Sequence, residues 1–144
     1  MRLLTIGTFD LLHPGHLELL AWCRAHAAAG GVHVGVNRDE FVERYKGRPP
    51  VQPFEHRAEV VAALRDVDAV WVNRGDEDAR VLIDEVRPDL LVIGDDWLDA
   101  GNDERRYFAQ LGVTPEWMAE RNLRVEYVPR TRGISSSAMR DRVA

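Results

Sequence analysis

Cysteine occurs once in these 144 residues, at Cys23. An internal disulfide is therefore excluded, as is a metal cage built on several thiolates, and Cys23 reads as a small apolar filler on a helix. Lysine is equally scarce. Of 19 basic residues Lys46 alone is a lysine, in the polar stretch YKGRPP, and the others are arginines. Excess positive charge is missing too: the formal net charge is −5, which argues against a broad nucleic-acid surface. No apolar stretch approaches the roughly 20 residues of a membrane span, and Met1-Arg2 leads straight into a short strand-like run. A cytoplasmic protein with no membrane span is the expectation. The usual phosphate-cradling signatures GxxxxGK(S/T) and GxGxxG are absent, and so are GxSxG, HExxH and a cysteine–histidine pair, which removes the common hydrolytic and metalloprotease readings. No His/Cys/Asp/Glu grouping reads as a resident metal site.

What is present is a soluble globular composition, 45% hydrophobic and 30% charged, in a length suited to one domain. There is no repeat, low-complexity tract or linker, so residues 1–144 read as a single domain. RLLTIG (2–7), VHVGVN (32–37), DAVWV (68–72), DLLVIG (89–94) and LRVEYV (123–128) read as five short strands, most of them nearly continuous apolar runs. Between them lie helical patterns: one from Pro14 to the Gly30-Gly31 stop, one near 54–64 and one near 76–86. Residues 39–53 read as a loop with a short helical start, ended by Gly47 and three prolines. Residues 98–123 read as two short helices broken by Gly112 and capped at Thr114-Pro115, and a last helix follows Ile134. Strands alternating with helices predict an α/β fold, a five-stranded parallel sheet with helices on both faces. Ligands of such sheets sit beyond the carboxyl ends of the strands, and the least ordinary stretches are found there: GTFDLLHPGH, NRDEF, GDDW and PRTRGISSS.

In GTFDLLHPGH, His13 and His16 stand three apart at the start of a helix, whose free N–H groups and partial positive charge suit a phosphate. Imidazole N–H groups can donate to phosphoryl oxygens. GISSS before MRDR is a second candidate phosphate site, with Gly133 able to take an unusual backbone angle, a serine capping the last helix, and Arg130 and Arg132 just upstream. In GDDW, Asp95 and Asp96 could hold a metal, a ribose or nothing, and Trp97 could stack on a base or fill the core.

Together these segments resemble the nucleotidyltransferases with the HxGH signature, and within them the glycerol-3-phosphate cytidylyltransferases. GTFDLLHPGH looks like that family's GTFDLLHxGH; DEF after the second strand, EHR at the next helix, GDDW, and PRTRGISSS beside the family's RTxGIST extend the likeness over nearly the whole chain. The resemblance implies a Rossmann-like domain and a set of roles. Gly7, Thr8, Phe9 and Asp10 would shape the loop beside the α-phosphate, with His13 and His16 on the phosphates of CTP. Lys46 would bridge the α-phosphate and the incoming phosphate, and Arg57 would grip the acceptor's phosphate. Arg130, Thr131, Gly133, Ile134, Ser135 and Ser136 would hold the β- and γ-phosphates. Asp95, Asp96 and Trp97 would lie on the nucleoside side, and Arg65 would fall at a homodimer contact. His13, His16, Lys46 and Arg130 would be the catalytic set. Two departures stand out: Ser136 replaces a threonine, and 98–123 is longer than the family's usual connection. Its Tyr107, Phe108 and Trp117 either pack the extension onto the core or line the acceptor pocket.

The implied reaction is transfer of a cytidylyl group from CTP to an alcohol phosphate such as glycerol 3-phosphate, with Mg²⁺ carried on the triphosphate and pyrophosphate leaving. One alternative keeps the fold and changes the base, since adenylyltransferases of the superfamily also carry HxGH and an ending like ISSSAMR. The other is a nucleotide-binding regulator without turnover.

Overall fold

The strand at the centre of the sheet, β1 (Leu3–Gly7), is buried on both sides and apolar but for Thr5, because helices cover both of its faces. The computed structural model describes residues 1–129. Beside β1 lie β2 (Val32–Asn37) and β4 (Leu90–Gly94), and the edges are β3 (Ala69–Asn73) and β5 (Val125–Val128). All neighbours pair in parallel, in the order β3-β2-β1-β4-β5. This is the all-parallel α/β architecture expected from the alternating pattern. The order reverses at β1, whose successor lies on one side and β4 on the other, so a crevice opens beyond the carboxyl ends of β1 and β4.

Among the described residues six α-helices clothe the sheet: α1 (Pro14–Ala27), α2 (Asp39–Lys46), α3 (Phe54–Ala62), α4 (Arg80–Val86), α5 (Arg105–Leu111) and α6 (Pro115–Glu120). Alternate strand residues separate into two cores. Leu4, Ile6, Leu91 and Ile93 pack with Leu82, Ile83 and Val86 of α4 and with Tyr107 and Leu111 of α5. Leu3, Val32, Val34, Val36 and Val92 pack with Leu20 and Cys23 of α1 and Val61 of α3. Cys23 is fully buried there, and loss of hydration, reinforced by Asp66, pushes its thiol up to about 12. It is the inert filler its setting suggested.

Two local readings change. Residues 39–46 form a regular helix where the sequence suggested mostly loop. Asp39 and Glu40 in its first turn and Arg44 and Lys46 in its last oppose the helix dipole, and Gly47 closes it at φ +77° with its N–H on the Glu43 carbonyl. Lys46 is thus the last residue of a helix and not part of a loop. Conversely α4 starts at Arg80, four residues later than the pattern near 76–86, because 74–79 is spent on a tight turn with Asp76 at φ +54°. The extension folds as expected: Gly112 closes α5, and the Thr114 side chain caps α6 by accepting from the Trp117 N–H.

Candidate active site

The loop from β1 to α1 takes an unusual path, with Phe9 at φ 53° and Leu11 at φ 51°. Left-handed backbone at residues other than glycine persists only where the surroundings over-determine it. Here they do. The Asp10 carboxylate accepts from the N–H groups of Val51 (2.7 Å) and Gln52 (2.9 Å), and the Gln52 side-chain oxygen accepts from Leu11 N–H (3.0 Å). Arg57, with no exposed surface, donates to the carbonyls of Thr8 (2.6 Å) and Gln52 (2.9 Å) and to Asp39 Oδ1 (2.5 Å). One buried guanidinium therefore ties the β1 loop, the 50–53 segment and the start of α2 together.

That staple sets the histidines. His13 is the N-cap of α1, and its Nδ1 accepts from Gly15 N–H at 3.1 Å, while His16 Nδ1 accepts from His13 N–H at 3.2 Å. The pair forms a reciprocal capping box, a role ordinarily taken by Ser/Thr and Glu. A nitrogen that accepts carries no proton, so each neutral ring keeps its hydrogen on Nε2. The rings lie 4.0 Å apart between centroids, and Phe9 packs against His16 at 5.5 Å.

Both histidines line a cavity of about 400 Å³ at the carboxyl end of the sheet. Gly7, Thr8, Phe9, Asp10, Lys46, Asp96 and Trp97 line it as well, so nine of the sequence-selected residues meet at one site, counting His13 and His16. Lys46 is the lysine or arginine of its lining among the described residues. Tyr45, next to it, shares a 2.7 Å hydrogen bond with Thr8 Oγ1, which joins the end of α2 to the β1 loop. Lys46 Nζ sits 5.8 Å from the centre of the Tyr45 ring.

Arg57 is not where the resemblance implied. It stands behind the cavity wall with its guanidinium spent on Thr8, Gln52 and Asp39, holding the loop instead of facing a ligand. Asp95 is exposed and does not line the cavity. Arg130, Thr131, Gly133, Ile134, Ser135 and Ser136 lie outside the described residues, as does the helix expected after Ile134.

The extension divides between the two roles considered for it. Tyr107, Gln110 and Leu111 of α5 line the cavity, with Tyr107 almost fully buried. Burial, helped by Asp96, holds the Tyr107 phenol well above its usual range, so it stays a neutral hydroxyl. Phe108 and Trp117 pack against the core, and Arg121 lies 3.7 Å over the Trp117 ring. On the rim, Arg106 covers Trp97 at 5.0 Å and donates to the Asp96 carbonyl.

Sequence reasoning missed Asn37 and Asn73, which line the cavity from the ends of β2 and β3. The signal was a repeated VNR tripeptide at 36–38 and 72–74. Only pairing of the two strands gives that repeat a meaning.

A parallel sheet with a crossover crevice, a helix N-terminus capped by paired imidazoles and a lysine in the same cavity lining make up the site. The family model for cytidylyltransferase-like proteins matches residues 4–142, and the chain belongs to that family, in the nucleotidyltransferase superfamily. The FAD synthase of Pyrococcus horikoshii is 35% identical over 116 residues, 81% of this chain and 77% of that protein. The FAD synthase of Pyrococcus abyssi is 40% identical over 96 residues, 67% of this chain and 64% of that protein. Bifunctional protein HldE of Rhodopseudomonas palustris is 47% identical over 94 residues, 65% of this chain but only 19% of that longer protein. Among solved structures, the lipopolysaccharide core biosynthesis protein of Thermoplasma volcanium superposes with a TM-score of 0.63 at 24% identity, over 91% of this chain and 96% of that one. A pantoate-beta-alanine ligase of Francisella tularensis gives 0.60 at 15% identity, over 99% of this chain and 66% of that one. At those identities the superpositions speak for the fold. Among the described residues no helix is long and apolar enough to cross a membrane.

Proposed function

We propose that this chain transfers an adenylyl group from ATP to a phosphate monoester, releasing pyrophosphate. The observation that carries nucleotidyl transfer is the histidine capping box: it engages Nδ1 of both rings, leaves the proton of each neutral ring on Nε2, and sets both rings in the lining of the cavity that Lys46 also lines. The choice of base rests on the relatives. FAD contains an adenylyl unit, and two relatives at 35% and 40% identity are named for making it. This favours the adenylyl alternative over CTP and glycerol 3-phosphate, the first expectation from the sequence.

In the reaction an oxygen of the acceptor phosphate attacks the α-phosphorus of ATP, the bond to the β-phosphate oxygen breaks, and pyrophosphate leaves with that electron pair. A phosphate monoester is already ionised at pH 7, so no general base is needed. Catalysis reduces to alignment of two anions and stabilisation of charge as it shifts. Lys46 bridges the acceptor phosphate and the α-phosphate; the two Nε2–H groups, with the positive end of the α1 dipole behind them, stabilise the α-phosphoryl oxygens and the leaving group, since the first N–H groups of α1 are already engaged by His13. Arg130, Thr131, Ser135 and Ser136 are assigned to the β- and γ-phosphates on the strength of the motif.

Mg²⁺ enters with the nucleotide. Asp10 and Asp96 are the carboxylates of the described lining, and both Asp10 oxygens already accept backbone N–H groups. Such a set fits an ion brought on the triphosphate, where it would offset charge on the leaving pyrophosphate. A homodimer through the β3 edge is also proposed. Ala69 to Val72 are only half-buried there, and Arg65, at the position of the family's dimer contact, is exposed.

The deciding experiment supplies ATP and CTP at equal concentration with a panel of phosphate monoesters and identifies the nucleotide incorporated. ATP is the expected donor. Preferential incorporation from CTP would return the assignment to cytidylyl transfer, which GDDW and RTRGIS favour, and no pyrophosphate from either would leave a binding protein without turnover.

A further inference from the structure

Asn37 and Asn73 are opposite each other in the register of β2 and β3, and both side chains are at least nine-tenths buried. Asn37 stands two residues beyond Gly35, at which a Cβ would collide with Leu82 of α4, so this pair faces the α4 side of the sheet. Asn73 Nδ2 donates to Asn37 Oδ1 at 2.9 Å and approaches the Asp76 carbonyl at 3.4 Å. The backbone carbonyl fixes the amide's orientation. Turning it over would set Oδ1 against that carbonyl, so Nδ2 must face it. Among the described residues Asn73 Oδ1 is left buried with no hydrogen-bond partner, although a buried acceptor is ordinarily satisfied. The surrounding lining is apolar, from Ala79, Ile93, Tyr107 and Leu111, with the neutral amide of Gln110 beside them.

Resting on the transfer reading above, we infer that Asn73 is a specificity residue for the acceptor: its Oδ1 accepts a hydrogen bond from the acceptor's uncharged body. The acceptor class is then a phosphate monoester with its phosphate toward Lys46 and the histidines. Its body is neutral, fits an apolar wall and presents a hydroxyl or a ring N–H to Asn73. A cationic body gains nothing here, because the wall on this side has no carboxylate among its described residues other than rim Asp96. A site that expects a donor rejects the analogue lacking it, since the buried oxygen then stays unpaired. The extension contributes directly, because α5 supplies Tyr107, Gln110 and Leu111 to the same wall.

The test uses matched probes that separate the two donor types. Flavin mononucleotide is compared with its ring N-methyl analogue, and glycerol 3-phosphate with n-propyl phosphate. Dissociation constants for the wild type and for Asn73→Leu are read by calorimetry, without turnover, and pyrophosphate release is followed separately. The wild type is expected to prefer the donor-bearing member of one pair by at least tenfold, and the pair that responds identifies the donor. Asn73→Leu is expected to lose that preference while its KM for ATP stays within twofold. Loss of ATP affinity in parallel, retention of the preference, or no preference in either pair would overturn the assignment. Should Asn73→Leu fail to fold, Asn73→Ser is read by the same criteria, and the wild-type pairs decide independently. A wild type that binds a donor-bearing probe selectively but releases no pyrophosphate would overturn the transfer reading and leave the pocket assignment standing.

Discussion

His16 accepts the backbone N–H of His13 through Nδ1, so the second histidine of the motif holds the first in place before any ligand arrives. His13 in turn caps Gly15. The two rings serve as helix caps and as donors at once, and the first role dictates which nitrogen is left for the second. Nitrogen-15 spectra of the folded protein near neutral pH should show both neutral rings protonated at Nε2. A ring with its proton on Nδ1 would contradict the capping geometry.

Replacing His16 by alanine should reduce kcat on the order of 100- to 1,000-fold, the usual effect of losing one preorganised donor, and raise the nucleotide KM far less. The lost cap should lower stability by about 1 kcal/mol. Steady-state kinetics beside urea denaturation separate the two effects. A variant within a few-fold of wild type would make His16 a cap alone.

Arg57 should behave as an architectural residue. Arg57→Ala removes three donors from buried or half-buried partners and should cost about 3 kcal/mol of unfolding free energy, the lower end for breaking a buried pair because Asp39 is partly exposed. Turnover should fall through kcat as the β1 loop loses its staple. An isolated rise in acceptor KM at unchanged stability would instead support the direct grip on phosphate that the motif implied.

Lys46 presents a compact charge from the last turn of α2, suited to two phosphates whose separation shrinks during attack, and a planar guanidinium cannot fill the same gap. Lys46→Arg should keep the fold and lose most of the single-turnover rate, nearly as badly as Lys46→Ala. Near wild-type chemistry in the arginine variant would mean that only local charge matters.

The extension should separate into two behaviours. Gln110→Ala should raise the acceptor KM several-fold and spare that for ATP, because Gln110 lines the cavity. Trp117→Ala should lower the melting temperature with both KM values unchanged, since Trp117 packs on the core under Arg121. Equal changes in both KM values for Gln110→Ala would show that α5 only supports the wall.

Light scattering at micromolar concentration should report a dimer, and Arg65→Glu at the exposed proposed contact should yield monomers. A monomeric wild type would remove the dimer from the proposal.

The alternation of apolar runs and helical patterns determined the parallel sheet, because strands covered on both faces need apolar residues at every position. The phosphate end was legible as well: GTFDLLHPGH couples a strand end, a helix start and two imidazoles within ten residues, and such local geometry is written in local sequence. Capping was equally readable at Gly112 and Thr114. What tertiary structure alone decided involves residues far apart in the chain. Arg57 looked like a ligand contact in EHR, but packing of α3 against β2 and β3 buries it on Thr8 and Asp39. Asn37 and Asn73, ordinary strand-end residues 36 positions apart, became a polar pair in an apolar wall only through strand register. Lys46 read as a loop residue beyond a short helical start until the charges at both ends of one helix, and its tie to Thr8 through Tyr45, made that segment a wall of the cavity. Local sequence encodes elements and caps; the partners of buried polar groups are set by which elements the hydrophobic cores bring together.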